Sequence, residues 1–172
     1  MKADYKNWMP KGMVIAIATR TAAVLILFLL FASGSIPLAH TARLIVSIVF
    51  GIGSAGMIIF TAWAISLYRA FDYNSSRQMS RQIIEGVAAY VNIPEGGRGL
   101  DVGCGSGALT IACAKRNPQA VMLGIDRWGR EYASFNRPLC ENNVRAEGVK
   151  NAEFQQGNAV ELDFADGTFE GL

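Results

Sequence analysis

The sequence predicts two regions: a pair of membrane-spanning helices, then an α/β unit whose parallel sheet carries helices on both faces. Three observations lead there. Two long uncharged runs fill most of residues 13–68. From Arg98 onward, short apolar stretches alternate with helical ones, the order expected of parallel strands joined by crossover helices. Between the first of those strands and the first of those helices lies a glycine-rich stretch, GCGSGA at 103–108.

The 172 residues are unevenly charged. Residues 1–68 hold five basic residues and one acid, Asp4, whereas residues 69–172 hold eleven basic and thirteen acidic ones. The net charge of +2 therefore comes from the first region. The slightly acidic second region argues against nucleic acid as a partner. The three cysteines, Cys104, Cys113 and Cys140, include no C-x-x-C pair, and His40 is the sole histidine. A zinc site, a disulfide scaffold and a histidine-dependent triad are thereby disfavoured, no metal is expected, and a reducing compartment fits.

Residues 1–12 are expected to be a cytoplasmic N-terminus. Thr21–Ala39 has nineteen residues without a charge and Leu44–Tyr68 has twenty-five. A hydrocarbon core about 30 Å thick needs roughly 20 apolar residues in a helix, so both runs qualify. Residues 13–18 are also apolar, which extends the first span to 13–36 and leaves Arg20 to snorkel toward the headgroups. A short external loop is expected at 37–43 and a second span at 44–68. A signal peptide is the competing reading, disfavoured by the length of the run and by the second span that follows it. Lys2, Lys6 and Lys11 precede the pair, and Arg69, Arg77 and Arg81 follow it. The positive-inside rule places both ends in the cytoplasm. The expectation is a multi-pass hairpin anchor in the cell membrane, with lipid around residues 13–68.

The second span contains GIGSAG at 51–56, which satisfies the G-x-G-x-x-G spacing of a dinucleotide loop. Such a loop needs a strand before it, a helix after it and access to water, and the middle of an apolar helix offers none of these. Ser47, Gly51 and Ala55 instead share one helix face by their spacing of four, where small residues let two membrane helices approach closely.

Residues 69–96 read as a juxtamembrane helix and linker. Ser75 or Ser76 is the expected N-cap, and Met79, Ile83 and Val87, widened by Ile84, Ala88 and Val91, form an apolar stripe. Arg77 and Arg81 face either anionic headgroups or solvent. Pro94, Gly96 and Gly97 end the segment in a turn. Within 97–172, strands are expected at 99–102, 120–125 and 152–156, with the opening of a fourth at 169–172. Helices are expected at 107–116, with Leu109, Ile111 and Ala112 inward, and at 131–147. In the latter, Pro138 implies a kink or a late start and Gly148 a stop.

The chemistry concentrates in GLDVGCGSGALT at 99–110. Gly103, Gly105 and Gly107 permit tight turning and a close approach of ligand to backbone. Gly103-x-Gly105-x-x-Ala108 also fits the nicotinamide and flavin fingerprint. Asp101, two residues before the first glycine, separates the ligand classes. A carboxylate there repels a pyrophosphate and attracts the sulfonium and ammonium groups of S-adenosylmethionine.

These residues resemble the first motif, D/E-x-G-x-G-x-G, of the class I S-adenosylmethionine-dependent methyltransferases. The resemblance runs from about Ile83 to Leu172 and implies a Rossmann-like fold with S-adenosyl-L-methionine as cofactor. It implies donor contacts from Asp101, Gly103, Cys104, Gly105, Ser106 and Gly107. Asp126, after the second strand, would accept from the ribose hydroxyls, and Trp128, with Arg127 between them, would pack on the adenine. QQGNAVEL at 155–162 resembles the family's G-D-A segment, with Asn158 where the family has an acid and Ala159 offering its backbone N–H. An amide oxygen can still accept the adenine amino group, without the charge. DFADGTFEGL at 163–172 resembles the lead into the fourth strand.

The expected function is a membrane-anchored methyltransferase represented by its anchor and donor-binding half, truncated before strand four. The acceptor residues would lie beyond Leu172, and the fragment alone is expected to be inactive. An NAD(P)-dependent oxidoreductase and a non-catalytic membrane protein that binds the methyl donor are the alternatives. A small-molecule or lipid acceptor is compatible with the anchor, and catalytic residues are not identified.

Overall fold

A computed structural model describes residues 2–129 and 134–170. The chain forms two compact units, Asn7–Arg77 and a second made of the N-terminal residues up to Lys6 together with the chain from Gln78 onward.

The first unit is a helical hairpin of α1 (Lys11–Ala32) and α2 (His40–Ala70). Pro10 stands at the N-cap of α1, where its fixed φ suits a helix start. Gly34, at φ +76°, turns the chain after α1. The expected loop residues 40–43 belong to α2, because His-Thr-Ala-Arg contains no breaker. At 31 residues α2 is about 46 Å long, more than a hydrocarbon core requires.

The two helices meet along a row of small and hydroxyl side chains. Phe28 lies against Gly51, where an added Cβ would come within 3.1 Å of the ring. Phe31 and Phe50 pack at 5.3 Å between centroids. One hydroxyl pair, Thr21–Thr61 at 2.7 Å, bridges the helices. The expected small-residue face needs one correction: Ser54 is buried where Ala55 was expected, and Ala55 is exposed. At about 100° per residue, a step of three after Gly51 keeps the row on the facing helix better than a second step of four.

The second unit is a three-stranded parallel sheet flanked by helices: β1 (Arg98–Val102), β2 (Val121–Asp126) and β3 (Ala152–Gln156), in the order β1-β2-β3. The register pairs Leu100 with Leu123 and Asp101 with Gly124. Gly124 in turn pairs with Phe154. Successive residues alternate between faces. One face carries Gly99, Asp101, Met122, Gly124 and Phe154, and packs on α4 (Ala108–Arg116) through Thr110 and Gly107. The other carries Leu100, Leu123 and Ile125, covered by Phe164 and Phe169 of the segment after β3. The Glu170 N–H donates to Arg98 O at 2.9 Å, so this segment reaches the side of β1 opposite β2 where the fourth strand was expected.

Two helices depart in detail from the sequence pattern. α3 (Met79–Ala88) is capped by Gln78 in the left-handed region rather than by Ser75 or Ser76. Ser75 is instead drawn into a turn, donating its hydroxyl and its N–H to Asp72 O. α3 buries Ser80, Ile84 and Ala88, leaving Met79, Ile83 and Val87 on its more exposed side. α5 (Arg137–Glu147) takes the late start that Pro138 implies, with Asn136 Oδ1 accepting the Leu139 N–H at 2.9 Å. Residues 131–133 of the expected helix lie outside the described residues. Gly148, at φ +67°, closes α5. In α4, Thr110 is fully buried while Leu109 is half-buried, reversing part of the expected inward face.

Candidate functional site

The glycine loop connects the C-terminal end of β1 to the start of α4. Gly103, Gly105 and Gly107 have φ of +82°, +54° and +78°, three alternate positions that a side chain would strain by about 1–2 kcal/mol each. Gly107 has a second requirement: a Cβ there would lie 2.6 Å from the Phe154 ring. Around Gly103 no atom lies within 4 Å of a would-be Cβ, so space is open on that side of the loop.

The loop's amides are already engaged. Those of Gly103 and Cys104 both donate to Ile125 O, at 2.8 and 3.0 Å, and that of Gly107 donates to Cys104 O at 2.7 Å. The Gly105 N–H donates to Asp126 Oδ2 at 2.9 Å, and the Trp128 N–H donates to Asp126 Oδ1 at 2.7 Å. A phosphate-binding loop offers its N–H groups to the ligand. Here four of them are turned toward the protein.

Two carboxylates flank the loop. Asp126 stands at the end of β2 with one oxygen on Gly105 and the other on Trp128, and each oxygen retains acceptor capacity. Asp101 lies on the α4-facing side of β1, its Oδ2 accepting the Thr110 hydroxyl at 2.6 Å. Burial pushes the Asp101 carboxyl above its ordinary value, the Thr110 hydrogen bonds oppose this, and the Asp126 charge adds to it. The sequence places Asp101 at the base of the loop; its tie to Thr110 appears only in the fold.

Trp128 has φ +46° and bends back, its indole N–H donating to Gly105 O at 3.0 Å. The Phe135 ring lies 3.8 Å from a would-be Cβ of Gly105. Aromatic surface therefore borders the loop beside Asp126. Arg127 is exposed, and its carbonyl accepts from Gln156 Nε2 at 3.4 Å. Gly157 N–H donates to Asp126 O at 3.0 Å, which brings the segment after β3 to the same end of the sheet. Asn158 and Ala159 are exposed there, with Asn158 Oδ1 accepting the Val160 N–H at 3.2 Å in a local turn.

Cys104 and Ser106 are buried inward-facing members of the loop. The neighbouring Cys140 thiol, and then burial, push the Cys104 thiol well above its ordinary value, and burial pushes Cys113 up to about 11. Both stay protonated at neutral pH, which suits packing rather than reactivity. Among the described residues no group of three His, Cys, Asp or Glu side chains could hold a metal ion. One residue that the sequence reading missed is Asn143 on α5. It is 1 % exposed and donates from Nδ2 to Ser106 O at 3.0 Å. Its legible signal is an amide three residues after Cys140, on the apolar face of a helix.

A parallel α/β unit with a left-handed glycine loop between two carboxylates is thus defined by geometry. Among known proteins, residues 93–171 match a family model described as a methyltransferase domain. Demethylmenaquinone methyltransferase of Geobacillus stearothermophilus is 32% identical over 81 residues, covering 46% of this chain and 32% of that protein. The 2-phytyl-1,4-naphtoquinone methyltransferase of Thermosynechococcus vestitus is 32% identical over 84 residues, covering 48% of this chain and 34% of that protein. The crystal structure of the YcgJ protein from Bacillus subtilis aligns with a TM-score of 0.42 at 26% identity, over 52% of this chain and 35% of that one. The chain spans about a third of the length of the curated relatives it matches.

Proposed function

We propose that this chain is the anchor and donor-binding part of a membrane-bound methyltransferase that uses S-adenosyl-L-methionine. The observation that carries the reading is the loop's electrostatics: Asp101 lies at its base and four of its amides are spent internally. A pyrophosphate would meet the Asp101 carboxylate where it needs donors, whereas a ligand with a sulfonium and an ammonium meets complementary charge. The match of residues 93–171 to a methyltransferase domain supports the same ligand.

When bound, the cofactor supplies an already activated methyl group. The protein's task is then alignment and exclusion of water. Gly103 and Gly105 let the ligand approach the backbone. Asp126 has lone pairs left for the ribose hydroxyls and is held in place by two amides. Trp128, with Phe135 near the same glycine, offers an apolar border for the adenine. Asn158 can turn its amide toward the base once its local turn opens. The named activities of the relatives favour a small-molecule acceptor, with quinones the class they methylate.

The anchor is the second part of the proposal. α1 and α2 are long and apolar enough to cross a membrane, and they bury only Thr21, Ser54, Ala64 and Ala70. A core helix of a soluble protein hides its apolar surface, whereas here Ile52 and Ile59 are 72% and 71% exposed. Lys2, Lys6 and Lys11 before the hairpin and Arg69, Arg77 and Arg81 after it support both of its ends lying on the cytoplasmic side. The test is calorimetry on the full chain in detergent or nanodiscs. S-adenosylhomocysteine is expected to bind and NAD⁺ to give no heat; the reverse would reject the reading. A reporter inserted at 33–39 is expected to be exposed outside the cell, and cytoplasmic activity there would reject the topology.

A further inference from the structure

Residues 2–6, before α1, belong to the α/β unit and bond to it. Asp4 N–H donates to Asn143 Oδ1 at 2.7 Å, and Asn143 Nδ2 donates back to Asp4 O at 3.0 Å. The buried amide of Asn143 thus pairs with the backbone of residue 4 as a strand neighbour would. Its Nδ2 also donates to Ser106 O in the glycine loop, so both ends of the amide are engaged. Tyr5 is 4% exposed and hydrogen-bonds the Glu147 carboxylate, which also holds Lys115 Nζ at 2.5 Å. Lys6, at φ +56°, folds its ammonium onto Asp4 Oδ2 at 2.6 Å, closing a turn where the chain leaves the unit.

We infer that residues 2–6 are a strap docked on α5, and that Asn143 is the positioning residue through which the strap fixes Ser106 and the ligand loop. The strap holds two of the three hydrogen bonds that orient the Asn143 amide, and the third ends on the loop. Loss of the strap leaves a buried amide with an unmatched acceptor and a spare donor, free to rotate off Ser106. The sequence hides this because the partners are 139 residues apart. The contact is carried by backbone atoms of Asp4, so it depends on the N–H of residue 4 and not on its side chain.

That dependence supplies the test. In the full membrane-inserted chain, Asp4→Pro removes the N–H while Asp4→Ala keeps it. Hydrogen exchange of a peptide covering 103–108 is read without ligand, and S-adenosylhomocysteine binding is read separately. For Asp4→Pro the loop is expected to exchange about fivefold faster and the affinity to fall about fivefold, the scale of one lost net hydrogen bond. Asp4→Ala is expected to stay within about twofold of the parent on both, since it keeps that bond. Equal loosening in both variants would overturn the inference, as would unchanged exchange in Asp4→Pro. Exchange rising equally across β2 would overturn it too, because the strap would then hold the whole unit rather than the loop. The ligand arm rests on the proposed function. If the parent chain shows no binding while Asp4→Pro still loosens the loop, the donor reading fails and the strap stands.

Discussion

Residues 51–56 and 103–108 both fit G-x-G-x-x-G/A and differ in everything that pattern omits. In the first stretch Gly51, Gly53 and Gly56 sit inside α2 and none has a positive φ. Their use is the absence of a side chain: Gly51 admits Phe28, while no atom lies within 4 Å of a would-be Cβ at Gly53 or Gly56. In the second stretch Gly103, Gly105 and Gly107 all have positive φ and turn the chain between β1 and α4. Their use is the backbone conformation, with a close approach added at Gly107. A glycine motif therefore reports a ligand loop only through its context, and its ligand through the charges beside it.

The largest expected effect breaks the second stretch. Gly107→Ala combines a left-handed backbone with a Cβ driven into Phe154, and should destabilise the α/β unit by about 3 kcal/mol or more. A thermal melt followed by circular dichroism would show it. A melt within a degree or so of the parent would mean that the loop does not hold this shape. Next is Asp126→Ala, which leaves the Gly105 and Trp128 amides without their acceptor. It should weaken S-adenosylhomocysteine binding at least tenfold, the scale of about 1.4 kcal/mol or more. Unchanged affinity would remove Asp126 from the site.

A smaller effect sharpens the role of Asp101. Burial holds its carboxyl above the ordinary value, so the folded unit binds that proton more tightly than the unfolded chain does. Its contribution to stability is complete below the ordinary carboxylate range and is lost as pH rises through the folded value. Asp101→Asn keeps an acceptor for Thr110 without the buried charge. It should be more stable than the parent at pH 7, show a flatter stability profile toward acid, and bind the methyl donor less well. A less stable amide would mean that the Thr110 bond needs the charge. The smallest effect lies in α2, where Gly53→Ala should stabilise the hairpin by about 0.5–1 kcal/mol because nothing opposes the new methyl. A measurable loss would indicate that this face of α2 packs on something.

The same contrast explains what was legible in the sequence. The order of strands and helices followed from apolar runs and breakers, and β3 falls where its residues predicted. The loop was legible because glycine is needed at φ values other residues avoid. Less legible were choices made by partners distant in sequence. Ser54 rather than Ala55 faces α1, because that depends on how two helices cross. Ser75 does not cap α3, because a turn at Asp72 takes its hydroxyl. The tie from Thr110 to Asp101 and the double pairing of Asn143 with Asp4 need the folded chain to bring their atoms together.

The central claim is that 103–108 holds the methyl donor and 51–56 packs helices. Hydrogen exchange of the full membrane-inserted chain with and without S-adenosylhomocysteine tests it most directly. Protection is expected in peptides covering 99–110 and 124–128, with 51–56 unchanged. Protection at 51–56, or none at 103–108 under saturating ligand, would contradict it.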